Sequence, residues 1–590
     1  MIGRASSNRP QRRRPRARFN LRARLALVAG GLGLCGVVLV GRAVDLQLID
    51  NAFYQQKADS RFLRELPIAT SRGMITDRNG EPLAISTPVA SLWANPQELV
   101  KHPDRIVELA AAIEVDPDEL ARRVAQRADK EFMYLPGQRR VHPAAAQEVL
   151  DLGVPGVFSQ REYRRFYPQG EAIAHVLGFT NIDDRGQEGI ELAFDDWLRG
   201  RPGVQKVIRD RRGRIVENVD LVRPAEPGRD LVLSIDRRIQ FLAHRELRNT
   251  LVRTGASAGS AVILDVATGE VIAMANLPTY NPHVVSGDDR DARRNRAVTD
   301  LIEPGSTIKP LTVAAALQAG VVTPTTPVDT SPGWMPNGRY RTSDVRNYGL
   351  LDVTGVITKS SNVGTAKLAA MLDDRQLYDV LRAFGMGQST RSGFPGEASG
   401  LFPDPSQWSG TSKQTISYGY GLSATPLQIA SAYAAIANGG TLVQPTFVKG
   451  QHGESRQAVD PQVAGTVLRM MQTVTEPGGT ATRARVLGYH VAGKTGTSRK
   501  ASGGGYSRRY VSFFAGIVPV ENPRFSMAIV IDDPDPARGY YGGLVAAPMF
   551  QSVMEGALRL MDVPPDDIET WLAAQAEADA KRRTAAGGGR

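Results

Sequence analysis

One cysteine in 590 residues is the chain's sharpest shortage, and Cys35 lies inside a run of apolar residues, so everything after that run is free of thiols. Disulfides, zinc–thiolate centres and cysteine nucleophiles are thereby excluded from the larger part of the chain. Histidine is also scarce: the seven (His102, His142, His175, His244, His283, His452 and His490) are scattered singly, with no pair at helical ligand spacing. That pattern argues against a metal centre and offers no Ser-His-Asp arrangement. Acidic residues are missing from the first 24 positions, which carry nine arginines, while the remainder holds 63 basic against 61 acidic residues. The net charge of +11 is therefore a property of a tail and not the footprint of a nucleic-acid surface.

Beyond the tail lie residues 25–41, seventeen positions without a charge. At 1.5 Å per residue they span roughly 25 Å, and Arg24 and Arg42 can snorkel outward to complete a bilayer crossing. A cleaved signal would have only Gly41-Arg42-Ala43 as its site, and a lipoprotein signal would have Leu34 where a small residue is wanted before Cys35. The run is read as a retained single-pass anchor. By the positive-inside rule residues 1–24 lie in the cytoplasm and everything after Arg42 lies outside, which in a bacterium is the periplasm. Gly30, Gly33 and Gly36 recur every third residue within the span, a pattern that lets a second membrane helix approach.

Apolar residues at 42% and charged residues at 23% make the exported part ordinary globular protein. Residues 45–64 are expected to continue helically from the membrane. Residues 42–229, rich in Arg, Gly and Pro, read as an elongated α+β pedestal with a hairpin whose turn is Asn79-Gly80. The stretch from Arg223 to Gly228 reads as a linker, and residues 230–578 as a second domain. In that domain the runs 260–265 and 271–275, and 511–520 and 525–531, read as strand pairs. Residues 426–438 read as a helix capped by Thr425 and Gln428 and stopped by Gly439-Gly440. The pattern predicts α+β architecture around an antiparallel sheet, with a disordered tail at 579–590.

Three motifs carry chemistry. Pro310 requires a helix to begin close to Ser306, so that the Ser306 hydroxyl sits at a helix start and Lys309 shares its face, where a lysine of lowered pKa can take its proton. Ser360-Ser361-Asn362, after a predicted helix, offers a hydroxyl to pass a proton and a carboxamide to hold an amide. Lys494-Thr495-Gly496-Thr497, in a strand-like run, supplies a cation, two hydroxyls that can bind a carboxylate and a glycine that lets a substrate backbone approach. Each is weak alone; the order Ser306, Ser360, Lys494 is informative. Beyond them, Tyr506 and Tyr510 are read as aromatic wall near the third motif or as core, and Gly419-Tyr420-Gly421-Leu422-Ser423-Ala424 as structure beside the cleft, despite its likeness to a dinucleotide fingerprint.

On these motifs the chain resembles the penicillin-binding proteins. The runs Arg72 to Gly80, Arg165-Phe166-Tyr167-Pro168 and Gly189-Ile190-Glu191 are similar to signatures of the class B branch. Asn295-Arg296-Ala297, Glu303 to Ser306 and Tyr418-Gly419-Tyr420-Gly421 resemble the septal, FtsI type. The resemblance implies a penicillin-binding, serine β-lactamase-like transpeptidase domain without metal or cofactor. It implies Ser306 as acylated nucleophile and Lys309 as base, with Ser360, Asn362 and Lys494 in proton transfer. Thr495, Gly496, Thr497, Tyr506 and Tyr510 would contact substrate, and the amides of Ser306 and Thr497 would form an oxyanion hole. The implied reaction is D,D-transpeptidation of peptidoglycan stem peptides ending in D-Ala-D-Ala. β-Lactams would act as inhibitors, and an FtsW-type glycan polymerase with other divisome membrane proteins would be partners at the division septum. An elongation-specific transpeptidase of the same branch, or a non-enzymatic scaffold or β-lactam sensor, would share the fold. A class A β-lactamase would need a Glu-x-x-Leu-Asn element between the second and third motifs, and none is present.

Overall fold

Two runs that bury every residue, Ala258–Asp265 and Val271–Leu277, open the sheet on which the site is built. Strands buried throughout must be covered on both faces. The computed structural model, which describes residues 21–45, 63–209, 215–502 and 505–587, shows how. Five antiparallel strands lie in the order Val271–Leu277, Ala258–Asp265, Phe525–Asp532, Gly505–Val518, Ala492–Ser502. The helix Arg237–Thr254 packs on the first two strands and on the helix Ala547–Leu560, while Pro426–Ala437 packs on the central strands. Pro426–Ala437 has the expected cap: the Thr425 hydroxyl accepts from the Gln428 amide at 3.1 Å and the Gln428 side chain accepts from the Thr425 amide at 2.7 Å. Its residues are buried through Ile436, so it has no solvent face to mark it by periodicity.

The predicted anchor is the centre of a longer helix, Leu21–Val44, which at 1.5 Å per residue is about 36 Å long. Among the described residues it is the one helix long and apolar enough to cross a membrane, with a mean hydropathy of 2.1, and no other part of the described chain covers it. The expected continuation at 45–64 falls largely outside the described residues; by Leu63 the chain is already a strand, Leu63–Ile68.

In the pedestal the Asn79-Gly80 turn forms as predicted. The Asp77 carboxylate accepts the amides of Asn79 and Glu81 at 2.8 and 2.9 Å, and Gly80 takes a φ of +86°. The first arm is short, Ile75–Thr76, and it pairs with the long strand Pro82–Ala94 and, in parallel, with Leu231–Val232. The outer part of the pedestal has its own core around Leu92, Leu109 and Val149. Its root does not: Ile75, Leu83, Tyr167 and Ile190 belong to the same apolar cluster as Ile235 and Ile239 of the second domain. The stretch read as a linker is likewise pinned. Glu226 exchanges backbone hydrogen bonds with Arg201 at 2.8 and 2.9 Å, and a Cβ on Gly228 would lie 1.7 Å from the Leu198 carbonyl oxygen.

Three separate signature runs of the pedestal meet in one buried ionic cluster. Glu191, with no exposed surface, accepts from Arg72 Nε and from Arg165 Nε at 2.6 Å each, and Arg72 also binds Asp195 at 2.6 Å. Residues 579–590 were expected to be disordered; the helix Ile568–Gly587, an alanine-rich stretch of high helix propensity, covers them as far as Gly587, and 588–590 lie outside the described residues.

Glu191→Gln should leave the buried Arg165 guanidinium without its anion and Arg72 with Asp195 alone. The expected loss is about 3–5 kcal/mol of stability, read from chemical denaturation, with secondary structure retained under native conditions; a loss below about 1 kcal/mol would show the cluster to be energetically idle.

Candidate active site

The helix start moves by three residues from its predicted place. Gly305–Ile308 forms a 3-10 turn that leads into the helix Lys309–Gln318, because Gly305 takes a φ of +53° and the Thr307 hydroxyl donates back to the Pro304 carbonyl at 2.8 Å. Pro310 falls in the helix's first turn, where no backbone N–H is missed. The turn is held from behind by Tyr433, fully buried, whose hydroxyl donates to the Thr307 carbonyl at 2.8 Å. Ser306 is half-buried, and among the described residues its hydroxyl makes no hydrogen bond.

Lys309 is fully buried and turned to the second motif: its Nζ donates to the Ser360 carbonyl at 2.6 Å and to the Ser360 hydroxyl at 3.3 Å. Lys494, equally buried, reaches the same hydroxyl at 2.8 Å and the Thr495 carbonyl at 3.1 Å. Ser360 can serve both because it closes the helix Val353–Lys359 in the left-handed conformation, φ +60°, a backbone state that costs a non-glycine residue about 1 kcal/mol. Burial pulls the Lys309 amine down to about 7, against the opposing pull of the Asp344 carboxylate. Burial first, and then the neighbouring Lys309, pull Lys494 well below its ordinary value. Burial and mutual repulsion both disfavour two protons on the pair, and the amine they favour as neutral lies within reach of a hydroxyl that can relay a proton.

Asn362 begins the helix Asn362–Ala370, and its side-chain nitrogen donates to the Ser343 carbonyl at 2.8 Å, which leaves the carboxamide oxygen able to accept a further hydrogen bond. Lys494 to Thr497 lie in the edge strand Ala492–Ser502, directly beside the nucleophile turn. Thr495 shares a hydrogen bond with Thr480 at 2.9 Å, and the Thr497 hydroxyl accepts from the Gly542 amide at 3.1 Å, which leaves its own proton able to be donated elsewhere. The space a side chain at Gly496 would occupy is taken by the protein itself: a Cβ there would lie 3.0 Å from the Pro304 oxygen and 3.1 Å from Thr307 Cγ2. In this structure the glycine lets the edge strand pack on the nucleophile turn.

Tyr506 is about half exposed and its hydroxyl binds Glu303 at 3.1 and 3.3 Å, edge-on to Tyr420. Burial and the Glu303 charge push its phenol up. Tyr510 stacks on Tyr540 at 4.0 Å and Tyr540 on Tyr541 at 4.6 Å, whereas Phe513 and Phe514 are buried core. Of the glycine triplet 503–505, two residues lie outside the described residues. Sequence reasoning missed Tyr540 and Tyr541, although the aromatic pair before Gly542-Gly543 was a visible signal. It also missed Asp344, which no local pattern marks, and gave Glu303 no role of its own. The run Gly419 to Ala424 is structure, as read: the Gly305 amide donates to the Gly419 carbonyl at 3.0 Å, and the Gly421 amide donates to Glu303 at 3.0 Å.

Residues 259–555 match the penicillin-binding protein transpeptidase domain and residues 67–233 the penicillin-binding protein dimerisation domain. The chain is 42% identical over 573 residues to the peptidoglycan D,D-transpeptidase FtsI of Escherichia coli K12, covering 96% of each chain. It is 40% identical over 555 residues to the probable peptidoglycan D,D-transpeptidase PenA of Neisseria meningitidis, covering 92% of this chain and 93% of that one. Among solved structures, penicillin-binding protein 3 of Mycobacterium tuberculosis complexed with aztreonam superposes with a TM-score of 0.66 at 30% identity, covering 85% of this chain and 98% of that one.

Gly419 is a sterically closed position of the site: with φ at +90°, an added Cβ would lie 2.0 Å from the Gly305 carbonyl oxygen. Gly419→Ala should therefore displace the nucleophile turn and slow acylation by a fluorescent penicillin at least about tenfold, while Gly410→Ala, where a Cβ meets nothing within 4 Å, leaves the rate unchanged. Equal rates for the two variants would show that the turn tolerates the shift.

Proposed function

The chain belongs to the class B penicillin-binding proteins of the FtsI type and is a peptidoglycan D,D-transpeptidase of septal cell-wall synthesis; from that premise we propose how its residues divide the reaction. Ser306 Oγ attacks the penultimate D-Ala carbonyl carbon of a stem peptide and gives its proton to neutral Lys309 Nζ. The tetrahedral oxyanion is held by the Ser306 and Thr497 amides. Collapse breaks the bond to the terminal D-Ala, whose nitrogen takes a proton relayed through the Ser360 hydroxyl from the lysine pair. An amine of a neighbouring stem then attacks the Ser306 ester, loses its proton to the same relay and regenerates the serine. Asn362 holds the substrate amide, the Thr495 and Thr497 hydroxyls the terminal carboxylate, and Tyr506 and Tyr510 wall the cleft. The observation that carries this division is the convergence of Lys309 and Lys494 on the one Ser360 hydroxyl, at 3.3 and 2.8 Å.

The base assignment has a pH signature. With Lys309 near 7, the neutral fraction falls below that pH, so acylation should fall about tenfold per pH unit on the acid side and level off above it. Lys309→Arg keeps the charge but cannot deprotonate, and should fold yet acylate about 10²- to 10⁴-fold more slowly at every pH. Mass spectrometry should place the penicilloyl adduct on Ser306 and find none in Ser306→Ala; an adduct that persists there contradicts the nucleophile.

The same reading divides the chain into a cytoplasmic tail at 1–24, a membrane anchor at 25–41, a periplasmic pedestal at 42–229 and a transpeptidase domain from 230. It also gives the anchor a partner, the FtsW-type polymerase that makes the strands to be crosslinked. Supporting it, Gly30, Gly33 and Gly36 recur at three-residue spacing within the helix Leu21–Val44, where small residues let a second helix approach closely. Replacing all three with leucine should preserve insertion and penicillin labelling but reduce co-purification with that polymerase several-fold; undiminished co-purification makes the helix an anchor only.

A further inference from the structure

Asp344 lies at the end of a small hairpin, Trp334–Asn337 paired with Tyr340–Ser343, outside the three motifs. Its carboxylate nevertheless sits at the start of the helix Asn362–Ala370. Oδ2 accepts the Ser361 hydroxyl at 2.6 Å, and Oδ1 accepts the backbone amide of Asn362 and, at 3.1 Å, that of Val363. The Ser361 oxygen in turn accepts from the Gly364 amide at 2.8 Å, so the whole first turn is tied to one carboxylate. The preceding residue completes the grip, since the Ser343 carbonyl takes the Asn362 side-chain nitrogen at 2.8 Å. Asn362 is thus held by its backbone and its carboxamide from the same two-residue segment. Ser360, which bridges the lysines in a strained conformation, is the residue immediately before the tied turn. The Asp344 charge also pulls against the burial of Lys309, whose Nζ meets the Ser360 hydroxyl that Lys494 reaches from the edge strand.

We propose that Asp344 is a positioning residue of the transpeptidase reaction, which orients Asn362, and Ser360 just before it, by tying down the first turn of the helix Asn362–Ala370. The proposal rests on Ser306 as nucleophile, Lys309 as base and Ser360 as relay. Orientation and charge are separable. Asp344→Asn keeps the size but removes the charge and one acceptor, whereas Ser361→Ala removes one tether and leaves the charge in place.

The experiment measures acylation by a fluorescent penicillin across pH for the full chain in detergent, with the wild type, Asp344→Asn and Ser361→Ala side by side and thermal melts as a control for folding. Asp344→Asn should acylate about ten- to a hundredfold more slowly on the pH plateau. Its acid limb should move to lower pH by roughly half a unit or more, because loss of the anion favours the neutral amine. Ser361→Ala should slow acylation without moving the limb. A lowered melting temperature with an unmoved acid limb in Asp344→Asn, or a plateau rate within about twofold of the wild type, overturns the proposal while wild-type labelling at Ser306 leaves the parent assignment standing. Absence of wild-type labelling at Ser306 overturns both.

Discussion

Two ammonium-bearing side chains without exposed surface share one serine hydroxyl, and the rest of the catalytic domain is arranged to permit it. Burying a lysine in protein costs several kcal/mol unless it is neutral or well partnered, and two side by side add mutual repulsion. The structure offsets this in two ways. It gives the amines oxygen partners, the Ser360 hydroxyl and carbonyl and the Thr495 carbonyl, and it lowers both lysines' proton affinity. Burial and mutual repulsion both favour a neutral amine, which the proposed Ser306 nucleophile requires. The strained Ser360 backbone arises from the same demand, because that turn of the chain brings its hydroxyl to both lysines.

Bringing three distant segments that close requires backbone contacts that leave no room for a Cβ. Gly419 lies against the Gly305 carbonyl, Gly496 faces Pro304 and Thr307, and an added Cβ on Gly542 would lie 2.1 Å from the Phe513 carbonyl oxygen. These glycines serve packing between the nucleophile turn, the edge strand and the tyrosine loop. Nucleophile and third motif therefore sit at a fixed separation, which is what preorganised electrostatic stabilisation requires. The edge position of Ala492–Ser502 matters for the same reason: it is the flank of the sheet beside the nucleophile turn, with backbone groups that no further strand of the described sheet pairs.

The pedestal is joined to this domain more firmly than a string of Pro, Gly and charge suggests. Its root shares the main apolar core, and the hairpin tip is tied to the start of Arg237–Thr254, where Asn79 donates to Asp236 at 3.1 Å and the Arg237 amide to Asp77 at 3.2 Å. A local pattern of turn residues reports that a segment is not helix or strand. It does not report that its backbone is pinned by segments distant in the chain, as Gly228 is by Leu198 and Gly73.

Local chemistry was legible wherever a residue's role depends on its neighbours in the chain. The capped helix Pro426–Ala437, the Asn79-Gly80 turn, the strand pairs of the central sheet and the long apolar helix near the N-terminus come from capping, turn geometry, alternation and length, and all are present. The three motifs were legible as residue types in order, and the structure brings Lys309, Ser360 and Lys494 into contact. Tertiary structure alone decided the rest. It set the helix start at Lys309 through the Gly305 backbone, and it chose Ser360 as the shared partner of both lysines through a left-handed turn. It also put Asp344 beside a helix it does not adjoin in sequence. The physical reason is the same in each case: a cap or a turn is fixed by atoms within about four residues, whereas the burial of a charge and the identity of its partners are fixed by which distant segments the core brings together.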